Sequence, residues 1–167
     1  ERREQAVEYN SVRFLVAAHG APGGYSFQLD TGEAGAVIWI KEPNTADPWA
    51  VRASIRALPL ALEGLDRSKA ALDGFLEALG LRWGPQDCRL SRIDWAVDVC
   101  WPGFDPSKAE FRTHSRRGKK AFRDLLESGA PGKCHGVTFG KMPNWQLCVY
   151  NKRKEIEQKN KGHWREI

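Results

Sequence analysis

The sequence predicts an α+β domain: an antiparallel sheet with helices packed on one of its faces. Three observations predict it. The chain opens with β-type segments, "SVRFLVAAHG", "GYSFQLD" and "AGAVIWIKEP", separated by glycine-rich turns at 20–24 and 31–35. Apolar stripes at helical spacing follow. A period-two run over 92–99 and a closing hairpin then bring the chain back to strands. The order sheet, helices, strand, helix, hairpin gives helices one sheet face and leaves the other for a ligand.

The first three segments form an antiparallel meander, because short turns between alternating strands pair neighbours. In "NTADPWAVRASIRAL", Asp47 is a suitable N-cap and Pro48 fits the first helical position; Trp49, Ile55 and Leu58 follow until Pro59 ends a short helix. "LDRSKAALDGFLEALGL" is a second helix, capped by Asp66, striped by Leu72, Phe75, Leu76 and Leu79, and closed by Gly80. In "RIDWAVDV", Ile93, Trp95, Val97 and Val99 face one way and Arg92, Asp94, Ala96 and Asp98 the other, as in a half-buried strand with a charged outer face. "DPSKAEFR" starts another helix, and a further one runs from about Lys119 to Ser128 with Phe122, Leu125 and Leu126. "CHGVTFGK" and "WQLCVYNK" are strands joined by the turn residues "MPN", and "RKEIEQKNKGHW" leaves the sheet as a basic helical tail.

A length of 167 residues fits a single domain, 1–167, that buries a core without metal or disulfide staples. Within it, 1–45 is the meander and 46–88 the helical part. An apolar share of 41% with seven Trp and seven Phe excludes a disordered chain, and no apolar run approaches the roughly 20 residues that span a bilayer. The charged start "ERREQAVEYN" has no apolar core of a signal peptide, which points to the cytoplasm, and a first residue of Glu is consistent with a fragment of a longer chain. Cys88, Cys100, Cys134 and Cys148 match neither a zinc ribbon nor a CxxC pair and read as free thiols in a reducing compartment. A net charge of +5 suits a polyanionic partner where it is concentrated.

Asp94 and Asp98 lie on one side of their strand but roughly 13 Å apart at the rise of a strand, too far to chelate one metal together. Each therefore needs partners from neighbouring strands. The final hairpin is the natural source, with Gln146, Cys148 and Tyr150 on one face and Trp145, Leu147 and Val149 on the other. Taken alone, the 92–99 strand also reads as a solvated face on which Arg92 pairs with a carboxylate.

The combination "SRIDWAVDV", "GVTFGK" and "LCVYNKRKE" resembles the replication initiation factor (Rep_trans) family of rolling-circle plasmids, mobile elements and phages. That family carries an R-x-D-x-A-x-D strand, a Tyr-x-Gly-Ser-Arg segment and an apolar strand closing on Tyr-Asp-Lys. The match covers roughly residues 89–155, an initiator-like core followed by a basic tail at 156–167. The resemblance implies a palm-like or RRM-like sheet that binds single-stranded or hairpin origin DNA. It also implies a divalent metal, Mg²⁺ or Mn²⁺, and a tyrosine that attacks a phosphodiester to leave a 5′-phosphotyrosine bond. Host replication proteins would be further partners, and no membrane is involved.

By that similarity Arg92, Asp94 and Asp98 fall on the first motif, Gly140 on the glycine of the second, and Tyr150, Asn151 and Lys152 on the third, with Asn in place of the usual Asp. The expected nucleophile slot holds Thr138, and the expected Ser-Arg is Lys141-Met142. A Thr hydroxyl without a base is a poor nucleophile, whereas a phenol at a metal-bound phosphate is a usable one. Three outcomes follow: Tyr150 serves, another tyrosine such as Tyr25 serves, or the chain is a DNA-binding relative that does not nick. His135 and Glu155 flank the hairpin and, with Asp94 and Asp98, make a candidate N/O metal site. Lys152 is a candidate for holding a phosphate or a transition-state oxygen.

"RTHSRRGKKAFR" gathers Arg112, Arg116, Arg117, Lys119, Lys120 and Arg123, and Lys141, Lys152, Arg153, Lys154, Lys159 and Lys161 add to it. Such clusters bind phosphates by releasing counterions without reading sequence. Arg52 and Arg56, one helical turn apart, would extend the surface. The first functional reading is thus a rolling-circle initiator or relaxase-like protein that nicks and rejoins DNA. The second is a non-catalytic nucleic-acid-binding module on the same scaffold, and the third a protein-interaction domain with an incidental basic loop.

Overall fold

The computed structural model describes residues 4–104, 126–130, 133–140 and 145–158, and the backbone alone at 126–130, 133–135 and 158. The chain divides into two compact units, Glu1–Ile93 and Asp94–Ile167. The architecture is α+β, and no described helix is long and apolar enough to cross a membrane.

The first unit is a five-stranded antiparallel meander: β1 (Gln5–Tyr9), β2 (Val12–Val16), β3 (Phe27–Asp30), β4 (Ala36–Ile40) and β5 (Val51–Ile55), in that spatial order. Three of these strands match the predicted segments. β1 lies in the charged opening stretch, for which no element was predicted; it pairs with β2 from Gln5↔Val16 to Tyr9↔Val12. Its two-residue turn, Asn10 and Ser11, has φ of 45° and 64°. Positive φ at both turn positions matches the right-handed twist of the flanking strands, and Asn tolerates it well.

The helix expected from Asp47 is instead β5, which pairs with β4 from Ala36↔Ile55 to Ile40↔Val51. Register explains the difference. It places Val51, Ala53 and Ile55 on the face of Ile40, Ile38 and Ala36, and Arg52 and Ser54 on the other, so a period of two outweighs a Pro-based start signal. Asp47 braces a loop rather than capping a helix. Its carboxylate pairs with the Lys41 ammonium and accepts from the Trp49 amide at 3.3 Å. The Lys41 hydrogen bond, then the Trp49 amide, holds that carboxyl below its ordinary pKa. Lys41 itself is buried, with Nζ donating to the Gly23 carbonyl at 3.4 Å and lying 5.1 Å from the Tyr25 ring centroid.

α1 (Ala57–Ala78) follows, and Pro59 sits within its first turn, where no intrahelical donor is required, rather than ending a helix. Gly64 kinks it at φ 80° and ψ 176°, and the Ser68 hydroxyl donates to the Gly64 carbonyl at 2.7 Å. Asp66 therefore stands in the first turn after the kink. At the far end Gly80 donates to Glu77 at 2.8 Å and Leu81 to Leu76 at 3.0 Å, the paired bonds of a glycine-terminated helix. α1 covers one face of the sheet. Phe14, Leu29, Ala36 and Ile38 from the strands and Phe75 and Leu76 from the helix form the core, with Phe14 and Phe75 edge-to-face at 5.6 Å. Each large side chain fully buried there stabilises the unit by about 1.5–3 kcal/mol.

The second unit contains a three-stranded antiparallel sheet, β6 (Leu126–Ala130), β7 (Lys133–Gly140) and β8 (Gln146–Tyr150), in the order β6-β7-β8, followed by α2 (Lys152–Gln158). The hairpin and the start of the helical tail agree with expectation. Residues 126–128, expected to end a helix, lie in β6, because they pair with β7 up to a register shift at Ser128/Gly129. The helix starting at "DPSKAEFR" and the part of the next one before residue 126 lie outside the described residues.

The strand expected over 92–99 is not formed. A 3-10 turn at Pro85–Asp87 is followed by residues with no regular element through Cys100, and Ile93, Trp95, Val97 and Val99 are exposed rather than half-buried. The alternation is that of a strand, but a strand needs a ladder partner, and among the described residues this run has none.

Candidate functional site

The site is built where β8 runs into α2. β7 and β8 pair Gly136↔Tyr150, Val137↔Val149, Thr138↔Cys148 and Phe139↔Leu147. Directly opposed residues share a face, so Gln146, Cys148 and Tyr150 stand with Thr138 and Gly136, and Val149 and Leu147 stand with Val137 and Phe139. Val137 and Phe139 are buried, which turns the Tyr150 face outward. The Thr138 hydroxyl lies 3.5 Å from the Cys148 sulfur on that face. Gly140 ends β7 at φ 82°, and a Cβ there would meet the Trp145 carbonyl oxygen at 2.4 Å, so the hairpin requires glycine.

Asn151 caps α2: its side-chain oxygen accepts from the Lys154 amide at 3.2 Å, and its carbonyl from the Glu155 amide at 3.1 Å. The signal was present as Asn immediately before "KRKE", although sequence reasoning weighed Asn151 only as a motif position. The cap fixes Lys152 on the first turn. Its Nζ donates to Glu155 Oε2 at 3.0 Å and lies 5.8 Å from the ring centroid of Tyr150, which is 44% exposed.

Burial works against the Lys152 charge, but the Glu155 hydrogen bond and the nearby Tyr150, Glu155 and Asp98 prevail, raising its pKa above the ordinary lysine value. Lys152 is therefore a permanent cation at neutral pH and a charge clamp rather than a base. Asp98 is close enough for its charge to act on Lys152.

The other predicted residues fall in several places. Asp94 and Asp98 are exposed on the irregular run, and Arg92 belongs to the first unit while Asp94 opens the second. His135 lies in β7. The Glu155 side chain is 17% exposed and engaged with Lys152. Among the described residues no three His, Cys, Asp or Glu side chains come together. The Lys152 ammonium on Glu155 opposes a cation at that carboxylate.

Arg153 is exposed and its Nε donates to Glu157 at 3.2 Å. Arg112, Arg116, Arg117, Lys119, Lys120, Arg123 and Lys141 lie outside the described residues. The charge is nonetheless divided unevenly along the chain. The second unit has fifteen Lys and Arg against nine Asp and Glu, and the first has eleven against twelve.

Arg52 and Arg56 do not form a helical basic patch, because β5 is a strand. Arg52 lies over the Trp39 ring, 5.3 Å from its centroid, and the Trp39 indole donates to Gln28 at 2.9 Å. Arg56 bridges Asp30 at 2.5 Å and Glu33 at 3.5 Å. Tyr25, the other candidate nucleophile, lies in the first unit beside the Lys41 ammonium. Compared with protein-family models, curated proteins and solved structures, the chain matches none.

Proposed function

We propose that the chain is a DNA-binding replication-initiation protein of the rolling-circle type, acting in the cytoplasm on single-stranded or hairpin origin DNA through its second unit. The observation that carries the reading is the Tyr150–Lys152 pair: a half-exposed phenol at the end of an outward sheet face, beside an ammonium held charged. The excess of Lys and Arg in the same unit supports it, since phosphate contacts supply most non-specific affinity for nucleic acid.

In the catalytic form the Tyr150 oxygen attacks phosphorus. The bond to the 3′-oxygen breaks, and the protein keeps a 5′-phosphotyrosine. The phenol proton passes to solvent and the leaving oxygen takes one up. Lys152 offsets charge developing on the phosphoryl oxygens. A non-catalytic DNA-binding module is the second reading, favoured by Thr138 at the expected nucleophile position and by the engagement of Lys152 with Glu155.

The test is incubation with a labelled single-stranded oligonucleotide, with and without Mn²⁺. The catalytic reading expects an adduct that survives boiling in detergent, is absent in Tyr150→Phe and persists in Tyr25→Phe. Salt-sensitive binding without an adduct leaves the second reading, and no binding at any ionic strength rejects both.

A further inference from the structure

We propose that Glu155 is the positioning residue of this site: its carboxylate holds the Lys152 ammonium beside the Tyr150 ring and, in doing so, weakens affinity for the DNA backbone. The inference deepens the function proposed above and rests on it. It gives Glu155 a task other than the metal ligation that the sequence suggested.

A lysine side chain has several rotatable bonds and, left alone, no fixed place on a surface. Here three contacts hold one. The Asn151 oxygen accepts from the Lys154 amide at 3.2 Å and fixes the turn, Glu155 Oε2 accepts from Lys152 Nζ at 3.0 Å, and that nitrogen lies 5.8 Å from the Tyr150 ring centroid. Ile156, the next residue, is buried, so a rotation of α2 that moved Glu155 would expose it.

The pair is not placed for helix stability. A cation on the first residue of a helix is opposed by the partial positive charge of that end, and Lys before Glu is the weaker order for a helical ion pair. It is also drier than its neighbour: the Lys152 and Glu155 side chains are 33% and 17% exposed, against 88% and 47% for Arg153 and Glu157. A placement that helix energetics disfavour, withdrawn from water beside an exposed phenol, points to a task at the phenol.

Two opposed consequences follow for a bound phosphodiester. An ammonium has three N–H donors, so a bond to Glu155 is compatible with one to a phosphoryl oxygen. The carboxylate, however, cancels part of the attraction that the ammonium exerts on the backbone. Glu155→Gln should therefore bind a single-stranded oligonucleotide about twofold to fivefold more tightly, the scale of one exposed charge. It should form the Tyr150 adduct about tenfold more slowly, because a misplaced charge loses transition-state stabilisation. A residue that only stabilised α2 would move both in the same direction.

The placement itself is read without nucleic acid, as a nuclear Overhauser contact between the Lys152 ε-methylene and the Tyr150 ring protons, assigned by its absence in Lys152→Gln. It should be present in the wild type and in Glu157→Gln, which removes the same charge from α2, and lost in the nearly isosteric Glu155→Gln, with unchanged β7 and β8 amide shifts as the check on folding. Glu157→Gln should also leave the adduct rate unchanged. A contact that is absent from the wild type or persists in Glu155→Gln, or an adduct rate in Glu155→Gln equal to that of the wild type, overturns the inference while the proposed function stands. No adduct in the wild type rejects the catalytic reading instead, and the contact and the affinity then decide the inference.

Discussion

In the first unit Phe14, Leu29, Ile38, Phe75 and Leu76 are buried between a sheet face and α1, and the charges nearly cancel. In the second, the described buried apolar side chains are Val137, Phe139 and Ile156; Trp95, Val97, Trp101, Trp145 and Leu147 are exposed, and positive charge is in excess. Exposed apolar side chains occur in both, Phe27, Leu62 and Leu65 among them in the first, so the described difference is the larger buried core of the first unit and the positive charge of the second. Large exposed apolar groups beside a net charge are what a binding surface requires and what a self-sufficient core avoids.

The largest expected effect tests whether the division is real. Phe75→Ala removes the ring packed edge-to-face on Phe14 and should destabilise the first unit by about 3–5 kcal/mol. Peptide-resolved hydrogen exchange should place the loss in 4–93 and leave β7 and β8 unchanged. Equal loss in both would mean that they unfold as one.

Gly140→Ala is the counterpart in the second unit. A side chain at positive φ, driven against the Trp145 carbonyl, should destabilise the β7–β8 hairpin by about 1–3 kcal/mol, with the first unit's exchange pattern intact.

A smaller effect sharpens the electrostatic side of the comparison. Lys152→Gln should weaken single-strand binding and reduce the slope of log affinity against log salt by roughly 0.7, the value of one phosphate contact. Arg52→Gln, on the Trp39 face of the first unit, should leave that slope unchanged; equal reductions would spread the DNA surface over both units.

The smallest effect is a pH signature. The Asp47 carboxyl is held below its ordinary pKa of 3.8, so its contribution is complete above that value and disappears as pH falls through the lower, folded one. Lys152 has the opposite sign: its contribution is complete below the ordinary lysine value of 10.5 and is lost as pH rises through the higher, folded one. Asp47→Asn should therefore flatten the acid limb of a denaturation-versus-pH curve, and Lys152→Gln the alkaline limb.

Much of the first sheet and the closing hairpin was legible because strands there alternate regularly and glycine marks the turns. The errors have one origin, the strength of local signals against pairing. Asp47-Pro48 imitates a helix start, yet β4 offered Val51–Ile55 an edge whose register buried the right side chains. Over 92–99 the pattern was equally clear, but no described neighbour supplies the ladder, so alternation alone did not make a strand. Of the candidate site, the proximity of Tyr150 and Lys152 was legible, because they lie together in sequence. The ion pair with Glu155 and the reach of the Asp98 charge depend on how a cap turns the chain after β8, which spacing does not encode.

The Lys41 clamp has a consequence for reagents. An amine held between a carboxylate, a backbone carbonyl and an aromatic ring, and buried, will resist acylation more than an exposed one such as Lys69, which is paired only with Asp73. Labelling of Lys41 would therefore report separation of its ammonium from Asp47.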